Sequence, residues 1–389
     1  MKILVIGAGI NGILTAYFLA KNGHNVEIIE EGNQPATRTT FANGCQLSFS
    51  HTPPMRICPS IFQKPFNRPL FLTKSEKQWL KSHNSFENSF NERFHILTKL
   101  AIKSKVAFDE IFSQFHDIPE TIGHSSGTMY IFSEKSQFEK RKKLFEVQKS
   151  QYGIDFTSLS LHDAVEYDGS LANVAHSVQH AIFTPFDRTL NAFEFTKFMA
   201  MKFENLGGKI HYNTKIHDIA TKNHQVLAIK TSLGDFTNYD SFIYCGGASG
   251  LNLLGDSTPK LQSITGYSMT FDASYSNHCP DANIIDFSNK MVYSRHQNSL
   301  RVAGFFDIND KNKEKRLQHF HKKAIETFPV LEVQPVVHTW CENRVFTPNE
   351  MPFIGKISEN FLVNTGQGHL GITLSAGSAK KISQIVQES

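Results

Sequence analysis

The sequence predicts an α/β protein, a Rossmann-type nucleotide-binding unit interrupted by an inserted α+β domain with a mixed or antiparallel sheet. An apolar strand, a glycine turn (Gly7-Ala8-Gly9-Ile10-Asn11-Gly12) and a helix open the chain, while Gly366-Gln367-Gly368-His369-Leu370-Gly371 joins another strand to the closing helix. Between them, segments 261–271, 283–294 and 300–306 read as strands of a different sheet. Two such turns at opposite ends of one chain suggest a single long dinucleotide.

The first turn follows at once on the apolar run Lys2 to Ile6, and Ile13 to Lys21 has the spacing of a buried helix. In that context Gly7 makes the tight turn, Gly9 lets the backbone approach a pyrophosphate, and Gly12 lets the helix pack closely. Ile10 and Asn11 complete the turn, and the helix N-terminus presents unpaired N–H groups to the phosphates. A second apolar run, Val26 to Ile29, ends in Glu30, about 20 residues on, where a carboxylate holds ribose hydroxyls. That acid argues against a 2′-phosphate.

Further along, Thr37 to Ser50 is polar and small, a loop, and Ser82 to Phe115 has helical spacing. Gly127 to Phe132 reads as a strand before a charged helix from Glu134 to Gln151; Phe193 to Leu206 is an amphipathic helix closed by Gly207-Gly208, before a strand at Lys209 to Tyr212. Gln225 to Thr231 and Phe236 to Thr237 form a small antiparallel sheet turning at Gly234-Asp235. Ser241 to Tyr244, a short buried strand, runs into Cys245-Gly246-Gly247-Ala248, whose two glycines join the candidate cofactor-binding residues. Phe361 to Asn364 is the last strand and Ile372 to Val386 the last helix. The nucleotide-binding domain is therefore expected at 1–55, 175–255 and 335–389, with the substrate or cap domain at 56–174 and 256–334.

Composition excludes several classes. With 389 residues, 40% of them apolar, the chain can build two domains, and a formal charge of +4 makes no case for nucleic acid. Five scattered cysteines (Cys45, Cys58, Cys245, Cys279, Cys341) without a C-x-x-C pair fit reduced thiols and no metal. The first strand begins at Lys2 and no apolar run approaches a membrane span, so a cytoplasmic protein is expected, with peripheral membrane attachment left open. The 33 phenylalanines include an aromatic and basic stretch at Phe62 to Phe71. It reads as core filling with a solvated rim, or as a surface for anionic lipid.

Five segments together resemble the FAD-dependent D-amino acid dehydrogenases of the D-amino acid oxidase and glycine oxidase superfamily. They are the opening turn with Glu30, the loop from Thr39 to Ser48, Thr265 to Thr270, Trp340 to Asn349, and Asn364 to Gly371. The resemblance implies non-covalent FAD in an extended pose. Glu30 would meet the adenosine ribose, Ile216 the adenine, and the first turn the pyrophosphate; Thr39, Thr40, Asn43, Gly44, Gln46 and Leu47 would line the ribityl chain and ring. Gly366, Gly368, His369, Leu370 and Gly371 would lie by the pyrimidine end. It also implies oxidation of a D-amino acid to an imino acid that hydrolyses to oxo acid and ammonia, with hydride passing from the α-carbon to flavin N5. Electrons would then go to a membrane quinone. Where the family has Gly-Leu-Arg-Pro, this chain has Glu342-Asn343-Arg344-Val345.

The cofactor carries the hard step, so the protein must mainly orient the substrate and anchor its carboxylate. An arginine fork suits that task, which selects Arg344, with Tyr267 as a second partner or pocket wall and His369 as a shaper of the flavin face. A helix N-terminus behind the last turn would stabilise negative charge on a reduced flavin. His51, His124 and His338 read as surface or core residues, and Cys341 is the nearest candidate for a covalent link. The competing readings are an amine oxidase of glycine or sarcosine, a 2-hydroxy acid dehydrogenase, and a flavin-binding component without turnover; oligomeric state is not legible.

Overall fold

Alternation along the first strand sets up the nucleotide-binding unit. In Lys2–Ile6, Ile3 and Val5 join one buried cluster while Leu4 and Ile6 join another, so both faces of the central sheet are covered. The structure is a computed structural model, and it describes residues 1–55, 72–123, 126–174, 178–251, 253–254, 259–274, 278–308 and 312–388. Among the described residues the first sheet has six strands in the spatial order Phe353–Ser358, Phe361–Thr365, Ser241–Tyr244, Lys2–Ile6, Asn25–Ile29, Lys209–His211. All its pairings are parallel except the outermost, between Phe353–Ser358 and Phe361–Thr365.

One face carries the helices Ile10–Lys21, Phe90–Gln114, Ala192–Asn205 and Gly371–Gln387, around a core that includes Leu14, Phe108, Phe195 and Leu374. Small residues permit close approach there: a Cβ on Gly377 would lie 2.9 Å from the Ser104 backbone nitrogen. The other face is covered by a three-stranded antiparallel sheet, Ile216–Lys222, Gln225–Thr231 and Gly234–Thr237, through Val226 and Ile229.

A second, nine-stranded sheet is largely antiparallel. Its central path runs Val336–Phe346, Gln262–Asp272, Ser299–Asp307, Met291–His296, Ile284–Asp286, Ser126–Phe132, His180–Thr189 and Gln46–Leu47, with Thr157–Leu159 also pairing to His180–Thr189. Helix Lys313–Thr327 packs Phe320 and Ala324 onto one part of it, and helix Lys135–Tyr152 packs Phe138 and Phe145 onto another.

The sequence expectation of an interrupted nucleotide-binding fold with an inserted mixed sheet matches this architecture. Segment 283–294 is two strands rather than one, because Lys290 takes a left-handed backbone (φ 56°) and turns the chain into a hairpin. Residues 180–189 and 336–346, placed by sequence with the nucleotide-binding unit, pair within the nine-stranded sheet, and helix Phe90–Gln114, placed with the cap, packs beside the closing helix. The aromatic stretch Phe62 to Phe71, Cys58 and His124 lie outside the described residues. Among the described residues no helix is long and apolar enough to cross a membrane.

Candidate active site

A cavity of about 1390 Å³ runs between the six-stranded and nine-stranded sheets. It exceeds the ~300–1,000 Å³ of ordinary small-molecule sites. Gly7, Gly9, Ile10, Asn11 and Glu30 line one end with Ile216, Gly246 and Gly247; Thr39, Thr40, Asn43, Gly44 and Gln46 line its middle; Gly368, His369, Leu370, Gly371 and Arg344 line the other end.

The first turn is built as its residues demand. Gly7 has φ 98°, a left-handed conformation that a side chain would strain, and a Cβ on Gly12 would fall 1.8 Å from the Gly7 carbonyl oxygen. Gly9 caps the helix without any side-chain hydrogen bond, and the first turn contains no acid. Apart from the Ile10 N–H, which donates to Thr40 Oγ1 at 3.3 Å, the first-turn N–H groups and the positive dipole end are therefore left for an anion. Glu30 lies across the turn, accepting from the backbone N–H of Ala8 at 2.6 Å and of Gly32 at 2.7 Å, with lone pairs to spare for hydroxyl donors. This cradle fits a dinucleotide pyrophosphate and ribose.

The loop after Thr37 is stitched to the second sheet and to the closing helix. Thr39 Oγ1 donates to the Asn343 carbonyl at 2.7 Å, Ser268 Oγ to the Ala42 carbonyl at 2.7 Å, and Ser294 Oγ to the Gly44 carbonyl at 2.9 Å. Gln46 Nε2 donates to Asn283, and the Ser48 N–H donates to Thr373 Oγ1 at 3.0 Å on the closing helix. The unusual neighbours of Arg344 belong to this clasp. Glu342 pairs with Arg38 at 3.4 Å, and Asn343 accepts from Thr265 Oγ1 at 2.9 Å.

At the far end, strand Val336–Phe346 ends against the second glycine turn through a bridge between Phe346 and Gln367. Gly368 has φ 57°, and a Cβ there would sit 2.6 Å from the Phe346 ring. Arg344 lies over Gly266, where a Cβ would be 2.3 Å from its Cζ, and 5.0 Å from the Phe306 ring centroid. Its Nη1 donates to the Phe305 carbonyl at 3.2 Å, and among the described residues no carboxylate pairs with it. Burial pulls its pKa down to about 10, still leaving it charged near neutrality.

His369 is enclosed by aromatic rings, with Phe306 at 6.2 Å, Phe346 at 6.3 Å and His51 at 5.8 Å. Burial, then the Arg344 charge, lowers its pKa to about 3, so the imidazole is neutral and serves as an acceptor rather than an acid. His51 is likewise pushed well below its usual value, by burial first and then by Arg141 and His369. The folded His369 refuses a proton that the unfolded chain binds below about pH 6.5, so stability should fall as pH drops through that window. His369→Gln should remove this penalty: in denaturant unfolding, the variant should gain on wild type between about pH 7 and about pH 4. A gap that shrinks on acidification would show a charged native imidazole.

Several expected site residues stand elsewhere. Tyr267 is 1% exposed in the core of the nine-stranded sheet, its hydroxyl bound to Asp307 and its pKa raised by burial and that carboxylate. Strand alternation explains the correction: Gly266 lies on the Arg344 face of the sheet, so Tyr267 points to the opposite, core side. Leu47 is in the helix-side core, and Gly12 and Gly366 support the turns from behind; a Cβ on Gly366 would lie 2.8 Å from Thr347 Cγ2. Cys341, paired across the strands with Tyr267, packs against that core. Among the cavity residues that sequence reading did not assign to the site are His51, read as a surface or core residue, and Arg141. His51 lies only three residues beyond the polar loop's Ser48, the one local signal available; Arg141 sits among the exposed charges of a helix and had none.

The profile of the DAO family, described as FAD dependent oxidoreductase, matches residues 2–385. The chain belongs to this family. It is 28% identical over 404 residues to the D-amino acid dehydrogenase of Neisseria gonorrhoeae (strain NCCP11945), covering 99% of this chain and 95% of that one. Against the D-amino acid dehydrogenase of Rhizobium rhizogenes it is 29% identical over 410 residues, covering 99% and 96%. The fold is that of glycine oxidase from Bacillus cereus ATCC 14579 (TM-score 0.77, 20% identity, 100% and 95% covered). It is also that of L-proline dehydrogenase from P. horikoshii (TM-score 0.76, 15% identity, 100% and 93% covered). The protein is thus an FAD-dependent oxidoreductase, as the sequence motifs implied.

Proposed function

We propose that the protein oxidises D-amino acids to 2-oxo acids and ammonia. The observation that carries this reading is Arg344, a half-buried guanidinium at the cavity wall with no carboxylate partner among the described residues. A buried unpaired cation is costly, and a ligand carboxylate offsets that cost with charge-assisted hydrogen bonds. Similarity to enzymes named D-amino acid dehydrogenase supports the D-configured substrate and an acceptor other than oxygen.

Gly7, Gly9, Ile10, Asn11 and Glu30 would hold the pyrophosphate and adenosine ribose of non-covalent FAD, with Ile216, Gly246 and Gly247 near its adenosine half. Thr39, Thr40, Asn43, Gly44 and Gln46 would follow the chain toward the ring, and Gly368 to Gly371 would close over its pyrimidine end. FAD, when bound, supplies the two-electron acceptor. Arg344 binds and orients the substrate carboxylate. His369 and His51 stay neutral beside it, accept hydrogen bonds, and add no positive charge against the substrate ammonium. The second turn leads into helix Gly371–Gln387, whose first turn carries no acid, so its dipole favours negative charge in front of it. A quinone is the acceptor class that fits a dehydrogenase.

Anaerobic mixing of the yellow holoprotein with D-alanine or D-proline should bleach the flavin, and aerobic turnover should yield little peroxide. No bleaching by any D-amino acid would sink the reading, and stoichiometric peroxide would turn it toward an oxidase.

A further inference from the structure

A second guanidinium faces the same cavity. Arg141, on helix Lys135–Tyr152, is 2% exposed and is sandwiched over the rings of Tyr130 at 4.9 Å and Phe145 at 4.7 Å. Its Nη2 donates to the Ser50 carbonyl at 3.0 Å and the Tyr130 hydroxyl at 3.4 Å, while among the described residues its Nε is enclosed without a partner and Nη1 meets no acceptor. Asp187 is the acid whose charge it feels, yet that carboxylate lies beyond ion-pair distance, held by the Ser50 N–H at 2.7 Å, the Ser50 hydroxyl at 2.6 Å and the Tyr130 hydroxyl at 3.3 Å. Other arginines of the fold, Arg93, Arg188, Arg295 and Arg316, each sit within ion-pair distance of a carboxylate. Among the described residues Arg141, Arg344 and Arg301 do not, and Arg301, which donates to Thr270 Oγ1 at 2.9 Å, is not among the residues that line the cavity.

The two cations bracket the neutral histidines. His51 feels Arg141, His369 feels Arg344, and the imidazoles are 5.8 Å apart. The surrounding wall adds to the positive field. Lys140 and Lys290 also line the cavity without acid partners among the described residues, whereas its Asp286 is bound by Asn289 and Thr327, and Glu342 is paired with Arg38. One α-carboxylate satisfies one arginine. A ligand that leaves neither guanidinium unpaired carries a second anionic group on its other side.

We infer that the substrate is an acidic amino acid, its α-carboxylate on Arg344 and its side-chain carboxylate on Arg141. This rests on the amino acid oxidation proposed above and narrows its substrate class. A fixed guanidinium rejects an uncharged isostere because burying it unpaired costs more than the lost bond.

The comparison is D-glutamate against D-glutamine, near in shape and different in charge, by anaerobic flavin reduction. Wild type should favour D-glutamate by about 10- to 100-fold in kcat/KM, mostly through KM. Arg141→Gln should collapse that ratio toward one. A merely structural Arg141 would slow both substrates alike and leave the ratio unmoved, which would overturn the inference, as would a wild-type ratio at or below one. Binding of glutaric acid and its monoamide to the wild-type holoprotein, read by calorimetry, gives an answer independent of turnover and of the variant's folding. The diacid should bind about 10-fold or more tighter; equal affinity would refute the assignment. If no D-amino acid reduces the flavin while the diacid still binds selectively, the oxidation reading falls and the two-carboxylate site stands.

Discussion

Arg344→Ala should raise the apparent KM for a D-amino acid by about 10²- to 10³-fold, the loss expected when a bidentate charged contact is deleted from a buried site. The effect should fall on KM more than on kcat, because the guanidinium contacts the carboxylate in the ground state and thereafter alike. Arg344→Lys should recover little. The guanidinium lies flat over Gly266, with its Cζ where a Cβ would be 2.3 Å away, and a lysine ammonium cannot reproduce that planar fork. Steady-state kinetics decide the matter, and a change below about threefold would remove Arg344 from the site.

Gly12→Ala should abolish FAD retention. The added Cβ would lie 1.8 Å from the Gly7 carbonyl oxygen and 3.0 Å from its carbon, so the backbone of turn or helix must move. Overpacking of that kind costs about 1–3 kcal/mol or more, and here it displaces the N–H groups meant for the pyrophosphate. Purification of the variant should yield protein whose flavin absorbance per chain is strongly reduced and which added FAD does not restore. Gly9→Ala is the informative contrast. A Cβ there meets only Thr40 Oγ1, at 3.4 Å, so the apo fold should persist while FAD affinity drops. Full flavin content in Gly12→Ala would mean that the turn relaxes freely.

The nucleotide-binding unit was legible because its physics is local. Gly7, Gly12 and Glu30 act within one strand-turn-helix-strand unit, and each constraint leaves a residue type at a fixed spacing. The cap was legible as strands of a mixed or antiparallel sheet but not in its strand order, since the pairing of Gln46–Leu47 with His180–Thr189 joins segments far apart in the chain. Site residues followed the same divide. Arg344 was chosen because carboxylate recognition calls for an arginine close to the second glycine turn, and it lines the cavity there. Tyr267 was misplaced by one step of strand alternation, which sequence cannot phase without knowing which face Gly266 presents. Arg141 is one of many charges on its helix, and only packing against Tyr130 and Phe145 separates it from its solvated neighbours.

The loop from Thr39 to Ser48 bears on how long the enzyme keeps its cofactor. Its hydrogen bonds reach Asn343, Ser268, Ser294 and Asn283 on the second sheet and Thr373 on the closing helix. Prising it open breaks these bonds together and parts the second sheet from the closing helix, so the loop resists any opening of the cavity on this side. Cofactor exchange in the assembled protein should therefore be slow.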